Sequence, residues 1–273
     1  MFQTRIVWTV CIGLLSLLVP NVARAQEAIN FSSALQPAKE TLIVRQQLRY
    51  FEADFATAIA NRTIEQYQAS TTFAYGVKSD LTLIFNVPIR FRKITDNLTG
   101  VSRRDEGVGD MNALAKIQLY QNDTGPTDTA RLNLLAGMEV RSGDSNFSSD
   151  SYDPLLGAVY TQSIARHGFD AAVLWKFNTK GGDPDRLRYD VAYVYRLEPE
   201  SYGPGKMTAL FSVLELNGFY ETNGDNELFI SPGIQYVTGK WALEATVQLP
   251  IWQELDERPE RDFVLGLSLR MHF

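Results

Sequence analysis

The chain has 273 residues, a formal charge of −6 and 45% apolar residues, which suits one large domain and excludes the basic excess of a nucleic-acid binder. Its single cysteine is Cys11, so there is no disulfide and, beyond residue 25, no thiol nucleophile or thiolate metal ligand. After residue 25 no apolar run approaches the roughly 20 residues of a spanning helix, so a mature chain that crosses a membrane must do so as a closed β-barrel.

In chain order, residues 1–25 read as an export signal. Arg5 marks a short basic start, Ile6 to Val19 an apolar core, and Ala23-Arg24-Ala25 a cleavage site before Gln26. Its removal leaves 248 residues with a charge of −8, because Arg5 and Arg24 leave and no acid does. Residues 26–40 form an N-terminal lead-in, either a disordered stretch or a short plug; they are too few for a full hatch domain.

From residue 41 to 273 the pattern is period two between turn residues, in about twelve segments near the 9 to 11 residues of a tilted membrane strand. They fall near 41–51, 64–77, 80–92, 109–120, 129–141, 153–165, 168–178, 186–197, 207–220, 226–237, 241–252 and 261–273. In the third, Leu81, Leu83, Phe85, Val87, Ile89 and Phe91 alternate with Thr82, Ile84, Asn86, Pro88, Arg90 and Arg92. In the eleventh, Trp241, Leu243, Ala245, Val247, Leu249 and Ile251 alternate with Ala242, Glu244, Thr246, Gln248, Pro250 and Trp252. Pro88, Pro232 and Pro250 each remove a ladder donor and predict bulges or local openings.

Short turns such as Lys78-Ser79, Arg166-His167-Gly168 and Thr238-Gly239-Lys240 alternate with longer polar loops at 93–108, 142–152, 179–185 and 253–260. Short periplasmic turns opposite longer outer loops, with both termini periplasmic, require an even strand number. Aromatics including Tyr67, Phe91, Trp175, Tyr189, Tyr236 and Trp241 stand near strand ends, where a girdle meets the lipid interface. A soluble sandwich also alternates, but has no reason for strands this long with charges along the second face. The last strand puts Phe263, Leu265, Leu267, Leu269, Met271 and Phe273 on one face and ends on an aromatic residue. That ending resembles the signal by which outer-membrane barrels are recognised by the barrel-assembly machinery. The expected fold is therefore all-β, a transmembrane antiparallel up-and-down β-barrel of about twelve strands in the bacterial outer membrane.

Several runs add a family resemblance over about residues 60–273: Gly107-Val108-Gly109-Asp110-Met111, Tyr152-Asp153-Pro154-Leu155-Leu156-Gly157, Leu214-Glu215-Leu216-Asn217-Gly218, and Ser231-Pro232-Gly233-Ile234-Gln235-Tyr236 followed by Trp241 to Pro250. In order and spacing they resemble the meta-pathway phenol-degradation family of outer-membrane barrels, whose members are often labelled transporter. The name implies an association with aromatic catabolism and no particular reaction.

By the alternation, the candidate lumen-lining residues are Arg45, Arg49, Arg90, Arg92, Lys116, Arg131, Glu139, Arg188, Asp190, Arg196, Glu215, Glu244 and Arg270, joined by Arg141, Lys176, Asp170 and Asp262. Two functions fit them. A net-positive lumen would pass small, aromatic or acidic molecules, arginine forks holding their carboxylates; alternatively the charges pair, fill the lumen and leave a closed structural barrel acting through its outer loops. Enzymatic function is not expected, because the mature chain offers only His167 and His272 as catalytic histidines, with no G-x-S-x-G or H-E-x-x-H. Asp144, Asp150 and Asp153 crowd one loop without EF-hand spacing, and Gly107-Val108-Gly109 lacks the third glycine of a nucleotide site, so no metal and no cofactor is expected. The expected partners are outer-membrane lipid and lipopolysaccharide, the assembly machinery and a small-molecule solute, not nucleic acid.

Overall fold

A computed structural model describes residues 26–56, 61–125, 127–202, 208–256 and 258–273; the expected export signal lies outside them. The strands are β1 (Leu42–Ala56), β2 (Asn61–Lys78), β3 (Leu81–Asp96), β4 (Ser102–Val108), β5 (Met111–Asp123), β6 (Thr129–Val140), β7 (Asp153–Ile164), β8 (His167–Lys176), β9 (Arg186–Glu198), β10 (Ala209–Glu221), β11 (Asn226–Val237), β12 (Trp241–Glu254) and β13 (Glu260–His272). All neighbours are antiparallel, and the sheet closes because β1 pairs with both β2 and β13. At the seam Leu42 and Phe273 exchange both main-chain hydrogen bonds, at 3.1 and 2.8 Å.

Thirteen strands make twelve staves. The lower half of β3 pairs with β5, Leu81 to Asn86 against Ile117 to Asn112, and its upper half pairs with β4, Ile89 to Thr95 against Val108 to Ser102. β4 and β5 are thus one stave broken at Gly109-Asp110, where Gly109 N–H donates to the Pro88 carbonyl at 2.8 Å. The loop expected at 93–108 is mostly strand, because the β1–β4 ladder continues above the other staves: β1, β2 and β3 have 15, 18 and 16 residues. Pro232 and Pro250 also sit at ladder irregularities. The β11–β12 register skips opposite Pro232 and shifts between Leu228 and Phe229, beside Pro250.

Alternation decides which face is which. On β12 and β13, Leu243, Leu249, Ile251, Leu265 and Leu267 are exposed outside, while Glu244, Thr246, Gln248, Ser268 and Arg270 are buried inside. An apolar outside around a polar inside inverts the soluble sandwich and is stable only in a bilayer, which places this closed barrel in the bacterial outer membrane. Aromatic neighbours such as Tyr50 with Tyr67, 4.7 Å between centroids, and Tyr236 with Trp241, 5.6 Å, mark the upper and lower ends of the apolar band.

Candidate functional site

Residues 26–41 turn back into the barrel. Both ends of this inner segment lie at the short-turn end: Gln26 packs over Gly168, and the Ala38 carbonyl rests on Gly76, where a Cβ would lie 2.1 Å from that oxygen. Its middle, Asn30 and Phe31, reaches deeper among the strands. An irregular chain here forms no ladder, yet its buried peptide groups still need partners, and lumen side chains supply them. Ala28 N–H donates to Asp170 at 2.9 Å, Ile29 and Asn30 N–H to Glu215, and Ala34 N–H to the Thr161 hydroxyl at 2.8 Å. In return Arg45 donates to the Ile29 carbonyl, Arg188 to that of Asn30 at 2.8 Å, Asn133 to that of Ala34 at 2.7 Å, and Lys116 to those of Ser33 and Leu35 at 2.9 and 2.7 Å.

Apolar contacts complete the seating. Ile29 enters a cluster of Val194, Ala209, Phe211, Val213, Val237 and Ala242, all buried on the lumen side of β9–β12. Phe31 packs with Ala28 and Ala192, and Ala34 with Leu135 and Val159. Period two alone could not separate these inward apolar residues from a register fault. The signal was there in runs apolar on both faces, such as Ala209-Leu210-Phe211 in β10, which have no use in a wet lumen.

The candidate charges gather into pairs. Arg45 and Arg270 share Glu244, Arg270 also meets Glu27, Arg188 meets Asp190 at 2.7 Å, and Arg131 lies 3.4 Å from Asp123. Lys176 bridges Glu139 and Asp153 at 2.7 and 3.3 Å. Arg196 lies over the Tyr202 ring at 4.3 Å from its centroid. Arg92 donates to Gln66 at 2.9 Å and covers Phe147 at 4.7 Å, while the buried Arg90 Nε has no hydrogen-bond partner among the described residues. Two expectations need correction. Arg141 lies beyond the end of β6 and pairs in the outer loop with Asp150 rather than in the lumen. Asp262 is exposed because a bulge at Glu52/Ala53 shifts the register, and Arg261 takes the inward place against Glu227.

Between the inner segment and the wall remains a cavity of about 630 Å³, lined on the barrel side by Gln47, Arg49, Gln68, Ser70, Thr72 and Asn86 of β1–β3, and extending toward Arg131 and Arg196 at the short-turn end.

At the outer end the β6–β7 loop, 141–152, folds onto the break between β4 and β5. Asp110 clasps it by accepting from Ser142 N–H at 3.0 Å, Gly143 N–H at 2.9 Å, Ser149 N–H, and the Ser148 and Ser149 hydroxyls at 2.8 and 2.9 Å. Burial would raise its carboxyl, but these donors, Ser149 N–H foremost, bring it down to about 2. Asp144 Oδ2 accepts from Val108 N–H at 2.8 Å, and a Cβ on Gly107 would lie 2.4 Å from that oxygen. The Gly107 to Asp110 run is thus a dock for the loop, which buries Phe147. The three loop acids part company: Asp144 serves Val108, Asp150 pairs with Arg141, and Asp153 accepts from Thr179 N–H at 2.9 Å. His167 is hydrogen-bonded to the Tyr193 hydroxyl at 2.7 Å, and His272 N–H donates to the Lys240 carbonyl at 3.0 Å.

Among solved structures, the chain is similar to an outer membrane channel from Pseudomonas putida F1, with 16% identity, a TM-score of 0.54, and 91% of this chain and 98% of that one covered. It is also similar to the transport unit of the autotransporter AIDA-I from Escherichia coli, with 9% identity, a TM-score of 0.50, and 92% and 95% covered. At these identities the likeness is one of fold. No curated protein sequence matches the chain. The model of one family, described as "Putative MetA-pathway of phenol degradation", matches residues 56–265, and the chain belongs to that family.

Proposed function

We propose that the barrel is an outer-membrane channel for small solutes, with a preference for aromatic or acidic molecules, and that its inner segment sets how far the path is open. The observation that carries this reading is the cavity of about 630 Å³ beside the segment, whose β1–β3 wall offers Arg49 among the neutral Gln47, Gln68, Ser70, Thr72 and Asn86. Guanidinium groups favour anions, and neutral amides and hydroxyls let them move on. The paired charges support a second reading, a closed barrel acting through its outer loops: Glu244 alone meets two arginines, and Lys176 meets two acids. Either way, lipid and lipopolysaccharide surround the exterior, and the outward row from Leu265 to Phe273, exposed at Leu265, Leu267, Leu269 and Phe273, is the face offered to the assembly machinery.

Single-channel recording of the full mature chain in planar bilayers under a salt gradient tests the first reading. Small, discrete, anion-selective steps are expected. Silence from barrels shown to be folded and inserted would favour the closed barrel.

A further inference from the structure

We propose that Arg49 and Arg188 form a binding site for a small organic carboxylate, and that Asn30 occupies it in the resting barrel as a neutral substitute. The proposal rests on the reading of the lumen as a solute path and names the solute group that the path recognises.

Arg49 lies on the lumen side of β1, between Gly266 of β13 and Gln68 of β2 in the register. The lumen arginines around it hold carboxylates: Arg45 and Arg270 on Glu244, Arg188 on Asp190, Arg261 on Glu227. Among the described residues, no carboxylate lies within ion-pair distance of Arg49. Its Nη2 donates instead to the Asn30 side-chain oxygen at 3.2 Å. The charges near it include the cations Arg188, Arg45 and Arg261 and the acid Glu215. Glu215 is itself taken up by Ile29 and Asn30 N–H and by the Asn217 amide at 3.1 Å. A half-buried cation among cations, answered among the described residues by an amide, is costly.

Asn30 shows what belongs there. Its side-chain oxygen meets Arg49, and its main-chain oxygen meets Arg188 at 2.8 Å. One residue thus presents an oxygen to each of two guanidinium groups. A carboxylate forms charge-assisted hydrogen bonds about twice as strong as those of a neutral amide. Arg49, Arg188 and Asn30 line the same cavity, so an acid arriving there meets both guanidinium groups once Asn30 yields. Besides Arg49, the Asn30 side chain reaches the Thr246 hydroxyl through its amide at 3.5 Å, while the main-chain N–H is held by Glu215 at 3.2 Å.

The test is calorimetric titration of the full mature chain in detergent with benzoate, and with benzamide as a neutral ring of the same shape. Wild type should bind benzoate and not benzamide. Arg49→Gln should weaken benzoate at least about tenfold by removing one charged fork. Asn30→Asp, which installs a carboxylate in place, should weaken it as much, whereas Asn30→Ala, which removes the side-chain oxygen from Arg49, should tighten it. Each variant is first shown to be folded by its circular dichroism and heat-modifiable gel mobility. Benzoate binding that survives Arg49→Gln, equal binding of benzamide, or no benzoate binding by either wild type or Asn30→Ala would overturn the site. Bilayer recordings separate the two claims: anion-selective current without benzoate binding leaves the path and removes the site, while benzoate binding by a silent barrel leaves the site and removes the path.

Discussion

Replacement of Ile29 by alanine probes the inner segment without touching a ladder bond or a charge. The Ile29 side chain is 1% exposed and sits among Val194, Phe211, Val213 and Val237. Truncating a buried isoleucine costs about 2 to 5 kcal/mol in a close-packed core; the lower end, about 2 to 3, suits a segment that can partly settle into the gap. The cost falls on the seated state alone, because the strands around it are held by their own hydrogen bonds. At 1.4 kcal/mol per factor of ten, the ratio of unseated to seated segment rises about 30- to 150-fold. In planar bilayers Ile29→Ala should show longer or larger open events than wild type, with an unchanged thermal unfolding midpoint of the barrel. Unaltered conductance in Ile29→Ala, together with unaltered conductance after deletion of residues 26–38, would refute the segment's role as the obstruction.

Further expectations follow from the same contacts. Gly76→Ala places a methyl 2.1 Å from the Ala38 carbonyl, so it should displace residues 37–41 and raise conductance as Ile29→Ala does, read in the same bilayer assay. Asp110, brought down from 3.8 to about 2 by its loop donors, stabilises the docked β6–β7 loop by about 2 kcal/mol above pH 4, and this contribution is lost as pH falls toward 2. Protection factors from hydrogen exchange across 141–152, taken against the intrinsic rate at each pH, should therefore hold down to about pH 4 and fall below it; Asp110→Asn should lower them at neutral pH, and protection insensitive to both changes would contradict the clasp. Deleting Phe273 removes both main-chain bonds to Leu42 and the terminal aromatic; the inserted fraction in cells should drop several-fold, as read by heat-modifiable mobility in membrane fractions. Arg49→Gln should move the reversal potential toward zero under a salt gradient.

The barrel was legible because membrane strands alternate strictly where one face meets lipid. Leu243 to Ile251 on β12 and Leu265 to Phe273 on β13 leave no choice of register. Legibility failed where lipid stops dictating the pattern. Above the membrane β4 carries charges on both faces and reads as loop, yet it is strand because the β3 ladder extends to meet it. Asp262 is displaced by a bulge that leaves no mark in an alternating run. The lumen charges were visible one at a time, but their partners were not: Arg45 with Glu244 joins residues 199 apart in sequence. The inner segment offered no periodicity, since an extended chain held by other residues' side chains has no face to keep apolar.

The way that segment is held has an evolutionary consequence. Asp170, Thr161, Asn133 and Lys116 each grip peptide N–H or C=O groups, which every residue but proline carries alike. The less buried side chains of the segment, such as Ser32 and Leu35, can therefore drift at little cost, while a change in any of the gripping residues strands a buried partner. Descendants of this barrel should diversify in what obstructs the bore faster than in what holds the obstruction.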